Sequence, residues 1–145
     1  MVGSDYRRPK AQMLGVRGFP GNSINHANSF FVPNHSTKVF VAGEVDMVAS
    51  AGYNPARLAR GWSIEDVDIR LVVTNLCVMD FGGPGHAARL RTLHPGVSAE
   101  TVQQATGFPL LVPADVHETP APGASELDLL ARLDPHNLRA TALGA

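Results

Sequence analysis

The sequence predicts an α/β fold, with an open and mostly parallel sheet that is covered by helices. Two apolar segments, residues 68–73 and 76–81, flank Thr74 and Asn75 and predict a tight hairpin of two strands. Both segments are almost continuously apolar and do not alternate with polar residues, which is typical of strands buried on both faces. Helix signals follow these strands in the last third of the chain, as expected for α/β layers.

The elements before the hairpin are less regular. The sequence predicts a short strand at 12–14, a turn-rich loop at 15–22, a helix at 23–31, a buried strand at 38–42 and an irregular connection at 53–66. The apolar strands outnumber the helices that could cover them. We therefore expect part of the fold to lie on another chain or in an upstream segment.

Two helices are predicted near the C-terminus. Ser98 can cap a helix that runs through Thr106, with Gly107 as its stop. A capping box at 125–128 predicts a second helix. An apolar stripe on this second helix indicates that it covers the sheet; its members are Leu127, Leu130 and Leu133.

Length and composition exclude several classes of function. A chain of 145 residues predicts a single domain, 1–145. Lys and Arg number 12 against 13 Asp and Glu, without a basic run, so nucleic acid is not an expected partner. Cys77 is the single cysteine and excludes a disulfide framework, which fits a cytoplasmic protein. No apolar stretch approaches the ~20 residues that span a bilayer, so no membrane association is expected.

The loop at 15–22 is the first candidate site. Its three glycines, Gly15, Gly18 and Gly21, surround Arg17 at a predicted junction between strand and helix. Such a junction exposes backbone N–H groups to an anion or a developing oxyanion, and Arg17 would add a forked cationic donor. An ordinary turn with a surface arginine is the alternative that the residues leave open.

A second glycine cluster, residues 81–86, ends in His86. It predicts a close approach to a ligand, with His86 as a donor or proton carrier. The alternative is a flexible connection that carries an exposed histidine.

Other polar residues give weaker signals. His26 and His35 lack the spacing of metal ligands, so no metal site is expected. Glu44 and Asp46 follow the predicted strand at 38–42, where α/β sheets place ligand groups, but a polar loop explains them as well. No nucleophile-elbow spacing is present.

Three groups of residues together resemble a known family. They are 15–26, then 70–76 with 80–84, then 93–97 with 105–108. Their order and spacing resemble the beta subunit of glutaconate-type CoA-transferases, members of CoA-transferase family I. Within that family they look most like the beta subunit of the CoA-transferase-like hydrolases that open the last steroid ring in bacterial cholesterol catabolism.

The resemblance implies a NagB/RpiA-like fold, an alpha-subunit partner and a CoA-thioester site between the subunits. It implies no bound cofactor, because CoA is part of the substrate. It also assigns roles: Arg17 and the loop N–H groups hold the substrate or stabilise an enolate, Asn22 and Asn25 make polar contacts, and the alpha subunit supplies the activating carboxylate.

Two departures from the family qualify these implications. Transferases carry a Gly-Gly-Ala type sequence where this chain has Arg17 and Pro20, which favours hydrolysis over CoA transfer. Family members also carry an additional N-terminal segment, so the chain looks like the C-terminal part of a beta subunit and is not expected to be a complete catalyst alone. The open alternatives are a glutaconate-like CoA-transferase subunit and a non-catalytic fragment that binds an alpha partner.

Overall fold

A five-stranded open sheet forms the centre of the computed structural model, which describes residues 7–8, 16, 18–45 and 48–142. The strands, which neighbour one another in chain order, are β1 Asn28–Val32, β2 Ile69–Thr74, β3 Cys77–Asp80, β4 Arg89–Leu93 and β5 His117–Glu118. The β1–β2 and β4–β5 pairs are parallel, and the pairs on either side of β3 are antiparallel. Four strands therefore point the same way and β3 alone is reversed, so the sheet is open and mixed, and the predicted α/β fold is confirmed.

Within the part of the chain that the structure describes, four helices accompany the sheet. They are α1 Phe19–Asn25, α2 Ala99–Gln104, α3 Ala124–Leu133 and α4 Leu138–Ala142. Single 3-10 turns at Pro55–Arg57, Ile64–Asp66 and Pro84–His86 interrupt the connections. Among the described helices, none is long and apolar enough to cross a bilayer.

The predicted hairpin of β2 and β3 is confirmed. Val72 pairs with Met79 and Val73 pairs with Val78. The hydroxyl of Thr74 accepts the backbone N–H groups of Leu76 and Cys77, each at 3.0 Å, and so closes the turn between the strands. A threonine oxygen here replaces backbone partners that the tight turn cannot supply.

The core lies on one face of the sheet, beneath α2. Its buried members come from three adjacent strands and one helix, and are Val72, Cys77, Met79, Leu90 and Val102. Each large side chain that is fully buried stabilises the fold by about 1.5–3 kcal/mol. Because the strands of this cluster are neighbours in both sequence and space, the core forms around the β2–β3–β4 meander.

Two of the predicted elements are wrong. The helix predicted at 23–31 ends at Asn25, because Asn28 donates from Nδ2 to the carbonyl of Asn22 at 3.2 Å and pairs as the first residue of β1. The bulky run that follows suits a strand better than a helix. The strand predicted at 38–42 is a turn, in which Phe40 donates its N–H to the Ser36 carbonyl at 2.8 Å.

Of the remaining predicted elements, some are confirmed and others are displaced. The irregular connection at 53–66 is confirmed apart from two 3-10 turns, and Ser98 caps α2 through the N–H of Thr101 at 3.1 Å. The helix predicted from a cap at Ser125 begins at Ala124, and its N-cap is Gly123, two residues before the predicted cap. Gly123 donates its N–H to Glu126 at 2.6 Å, so the capping box is misplaced. No residue of α3 is buried, so α3 does not cover the sheet as predicted. The strand predicted at 12–14 lies outside the described residues.

Candidate functional site

The first predicted loop leads directly into α1. Gly15 and Arg17 lie outside the described residues. The N–H of Phe19 donates to the Val16 carbonyl at 3.1 Å, and the N–H of Asn22 donates to the Gly18 carbonyl at 3.0 Å. Gly18, Gly21, Asn22 and Asn25 are all exposed, so this end of the molecule offers polar groups to a ligand.

A buried serine holds α1 in place. Ser23 is 1% exposed and donates its hydroxyl to the Pro20 carbonyl at 2.8 Å. The hydroxyl of Ser50 donates to the Ser23 oxygen at 2.9 Å and in turn accepts the N–H of Gly52 at 3.3 Å. The Ser23–Ser50 pair therefore ties α1 to the segment 50–53. The sequence carries no local signal for this pair, because its members are 27 residues apart.

The second glycine cluster meets the same segment through Tyr53. The rings of Tyr53 and His86 stack at 4.2 Å between centroids with an interplanar angle of 2°, and the Tyr53 ring also packs on Phe81 at 5.2 Å. The phenol oxygen accepts the N–H of Ile69 at 3.0 Å and donates to its carbonyl at 3.3 Å. His86 is exposed yet oriented by Tyr53, so it can present a ring nitrogen from a fixed position.

The segment 50–53 thus joins the two predicted loops. Ser50 contacts α1 through Ser23, and Tyr53 contacts His86. Both loops are therefore anchored to the same four-residue segment. Together α1, this segment and the turn at 81–86 form the candidate site.

Close packing explains why the second loop has glycine at two of its positions. A Cβ on Gly83 would lie 2.7 Å from the carbonyl oxygen of Ala87, and a Cβ on Gly82 would collide with the guanidinium of Arg89. His86 itself has a φ of 60°, directly after Gly85 at 62°. Close packing therefore leaves no room for a side chain at Gly82 or Gly83 in this turn.

An ion cluster anchors the start of this turn and was not predicted. Asp80, at the end of β3, receives Arg89 Nε at 2.9 Å on one oxygen and Arg89 NH2 at 2.6 Å on the other. Arg91 adds a longer contact at 3.3 Å, and the N–H of Gly82 donates at 2.9 Å. The Arg89 hydrogen bonds, more than any other cause, hold the pKa of Asp80 below its usual value. Both oxygens of this carboxylate are occupied by these hydrogen bonds, so Asp80 serves to position the turn.

A second polar network lies at the opposite ends of the strands, just after the last residues of β1 and β2. His35 is 5% exposed and bridges the hydroxyls of Thr74, at 3.0 Å from Nδ1, and Thr106, at 2.9 Å from Nε2. Phe40 lies against its ring at 4.2 Å. Burial lowers the pKa of His35 below its ordinary value. His35 is therefore a neutral link between the loop at 33–43, the hairpin and α2.

The other sequence candidates are not assembled into a site. Glu44 pairs with Arg57 at 2.7 Å on the surface, as a polar loop predicts, and Asp46 lies outside the described residues. His26 is exposed, whereas His35 is buried. Among the described residues, no three His, Cys, Asp or Glu side chains are grouped to hold a metal ion.

Known proteins share both the sequence and the fold. The chain is 44% identical over 140 residues to the cholesterol ring-cleaving hydrolase IpdB subunit of Mycobacterium tuberculosis, a match that covers 92% of this chain and 53% of that subunit. The crystal structure of Rhodococcus jostii RHA1 IpdAB superposes with a TM-score of 0.83 at 39% identity, over 97% of this chain and 56% of that one. This chain is therefore similar to these subunits in sequence and in fold. It spans about half the length of the curated relatives that it matches.

More distant similarity supports the same placement. Glutaconate coenzyme A-transferase from Acidaminococcus fermentans superposes with a TM-score of 0.74 at 26% identity, over 90% of this chain and 50% of that one. No protein-family model matches the chain. The resemblance to the CoA-transferase family and its fold is thus confirmed, whereas the roles of Arg17, the loop glycines, Asn22, Asn25 and His86 stay predictions.

Proposed function

We propose that this chain forms part of a CoA-transferase-like subunit in a heteromeric hydrolase that opens a ring of a steroid-derived CoA thioester. The observation that carries the proposal is the 44% identity to IpdB subunits over 92% of the chain. The alpha-subunit partner belongs to the same proposal, and CoA enters the site as part of the substrate. Because the chain spans about half of its relatives, complete activity requires the rest of the assembly.

The reaction is a hydrolytic cleavage between carbons. Water adds to the ring carbonyl of a cyclic β-keto CoA thioester, and the bond between that carbon and the carbon next to the thioester breaks. The electron pair leaves as the enolate of the thioester, which then takes up a proton, while the former ketone becomes a carboxylate. The thioester itself remains intact, so CoA stays attached to the product.

The site supports this chemistry at the developing enolate. Arg17 would supply the positive charge, and the exposed backbone around Gly18 and Gly21 would supply N–H donors to the enolate or the thioester oxygen. Asn22 and Asn25 are exposed on α1, where they can contact polar parts of the substrate. His86 is oriented by its stack on Tyr53 and can donate to the substrate from the second loop.

The experiment that tests the proposal follows the mass of the product. The chain is co-purified with its alpha subunit, incubated with a cyclic β-keto acyl-CoA, and the product is analysed by mass spectrometry. We expect a product heavier by one water that still carries CoA. Absence of this product from an assembly that contains the alpha subunit and the remaining part of the beta subunit would contradict the proposal.

Arg17→Ala tests the loop within the same assay. Loss of one preorganised charge or donor at a developing oxyanion lowers kcat by about 10²–10³-fold. Arg57→Ala is the matched control, because Arg57 is a surface cation that pairs with Glu44. Equal rates in the two variants would remove Arg17 from the mechanism.

A second candidate is a CoA-transferase subunit, which the superposition with glutaconate CoA-transferase favours. Such an enzyme would move CoA to an acceptor carboxylic acid and add no water to the carbon skeleton. An acid-dependent appearance of a new acyl-CoA distinguishes it from the hydrolase. A stable complex with the alpha subunit that performs neither reaction would indicate a non-catalytic binding role.

A further inference from the structure

Aromatic rings from two loops meet at the second glycine cluster. Tyr53 contacts both of the others: Phe81 at 5.2 Å between ring centroids, tilted by 53°, and His86 at 4.2 Å, with an interplanar angle of 2°. Among the described residues, Tyr53 is the only ring that touches His86, and the His86 side chain is exposed. One face of the imidazole is therefore covered by Tyr53, and the other face is open to a ligand.

Hydrogen bonds hold both stacked rings in place. The Tyr53 phenol accepts the N–H of Ile69 at 3.0 Å and donates to its carbonyl at 3.3 Å, which fixes the ring against the start of β2. The backbone N–H of His86 donates to the Gly83 carbonyl at 3.0 Å. Rings that are ordered before a ligand arrives lose little further freedom on binding, so their contacts contribute more fully to affinity.

The backbone at His86 is unusual for an exposed side chain. Its φ is 60°, directly after Gly85 at 62°, so two consecutive residues are left-handed. This conformation costs energy for any residue with a Cβ, and such residues are concentrated at ligand clamps and active sites. Because His86 is exposed, burial of its side chain in the core does not account for the conformation. Its effect is to hold the imidazole against Tyr53.

The chemistry around the open face selects one class of ligand. Planar nitrogen heterocycles such as nucleobases stack on histidine and tyrosine rings. The pKa of Glu65 is lowered first by its hydrogen bond with Ser63 and also, more weakly, by the charge of His86, so this carboxylate lies near the imidazole. A carboxylate accepts the exocyclic amino group of a base and repels a phosphate. The surroundings of His86 therefore suit an aminopurine ring.

We infer that the open face of His86 is a stacking platform for the adenine ring of the CoA substrate. This inference rests on the proposed function, which supplies CoA as part of the substrate. Glu65 accepts the amino group of the adenine. CoA carries its adenine and its thioester at opposite ends of a long arm, so the two ends contact different parts of the candidate site. The thioester lies at the loop at 15–22 and the adenine at the turn at 81–86.

The test measures binding of adenosine bisphosphate, the nucleotide end of CoA, by isothermal titration calorimetry. The protein is the assembly of this chain with its alpha subunit and the remaining part of the beta subunit. His86→Asn removes the ring with a residue that tolerates the left-handed backbone, whereas His86→Phe keeps an aromatic face and removes both ring nitrogens. His117→Asn, at an exposed position of β5, is the matched control. Melting temperatures verify that every variant is folded.

We expect His86→Asn to weaken binding by about 5- to 150-fold, the range for the loss of one base stack. His86→Phe should retain the affinity, and His117→Asn should leave it unchanged. Unweakened binding by His86→Asn, or no binding by the unaltered assembly, would overturn the inference. Equal losses in His86→Asn and His86→Phe would show that a ring nitrogen is required and the stack is not, which also overturns it.

Competition identifies the source of the adenine. If the platform holds the adenine of the substrate, saturating CoA displaces adenosine bisphosphate completely. Nucleotide that stays bound at saturating CoA would assign the platform to a separate adenine nucleotide and overturn the inference. The readout does not depend on hydrolysis. An assembly that shows the expected binding and opens no ring contradicts the proposed function alone, and ring opening with unaltered CoA affinity in His86→Asn contradicts this inference alone.

Discussion

The imidazole of His35 is linked to hydrogen-bonding groups on both sides, and their arrangement fixes its tautomer. Thr106 donates its hydroxyl to the Val102 carbonyl at 2.8 Å, so its oxygen accepts from His35 Nε2 at 2.9 Å. His35 Nδ1 is then the unprotonated nitrogen and lies 3.0 Å from the Thr74 hydroxyl oxygen, which also has the Cys77 carbonyl as an acceptor at 3.2 Å. The network is satisfied with a neutral ring, as a buried polar group requires.

Mild acid is therefore predicted to destabilise the protein through His35. Its pKa in the folded state is lowered by burial below the ordinary 6.5, so the unfolded chain binds the proton more readily. The stabilising contribution is complete above about pH 6.5 and is lost as the pH falls from there through the folded pKa. Urea unfolding between about pH 7.5 and pH 5.5 measures this loss.

A matched pair of variants assigns the effect. His35→Gln should remove the part of the pH dependence that His35 causes, whereas His117→Gln, at an exposed position, should retain it. Asp80 does not confuse the comparison, because its pKa is held below the ordinary 3.8 and it titrates below this window. An unchanged pH dependence in His35→Gln would show that the ring is not the titrating group.

Ser23 gives a second prediction at the residue scale. Ser23→Ala leaves the Ser50 hydroxyl without its acceptor and removes the bond to the Pro20 carbonyl. We expect the free energy of unfolding to fall by about 1 kcal/mol or somewhat more. Ser29→Ala, at an exposed position of β1, is the control and should change little. Equal effects in both variants would mean that the tether from α1 to the segment 50–53 contributes nothing.

At the scale of elements, the turn at 81–86 is held by close backbone packing. Gly83→Ala places a Cβ 2.7 Å from the Ala87 carbonyl oxygen, which a rigid backbone can relieve only by moving. Overpacking of this kind costs about 1–3 kcal/mol. The turn also carries His86, so its displacement should disturb the stack on Tyr53.

Thermal unfolding and the His86 ring proton shifts measure the two consequences. Gly21→Ala is the matched control, because a Cβ there has no atom within 4 Å and its backbone is helical. We expect Gly83→Ala to lower the melting temperature and move the His86 resonances, and Gly21→Ala to do neither. A stable Gly83→Ala variant with unmoved His86 resonances would contradict the packing account.

Elements whose partners are close in sequence could be predicted, and elements with distant partners could not. The β2–β3 hairpin was identified because its two strands are separated by a turn of two residues, and α2 because Ser98 caps it locally. The segment that forms β1 was predicted as helix, since its pairing strand β2 begins about forty residues later and leaves no local signal. Tertiary packing decided this element.

At the scale of the whole molecule, the α/β fold was predictable from near-continuously apolar strands that are followed by helix signals. The two glycine-rich loops were predictable as candidate sites because their composition is local. Their connection through Ser23, Ser50 and Tyr53 was not, because it depends on contacts between residues far apart in the chain.

The central claim is that the assembly containing this chain adds water to a ring carbonyl and leaves the thioester intact. The most direct measurement is turnover of a cyclic β-keto acyl-CoA in water enriched in heavy oxygen, followed by mass spectrometry of the product. The account predicts one heavy oxygen in the new carboxylate and CoA still attached. Release of free CoA, or transfer of CoA to an added carboxylic acid without ring opening, would contradict it.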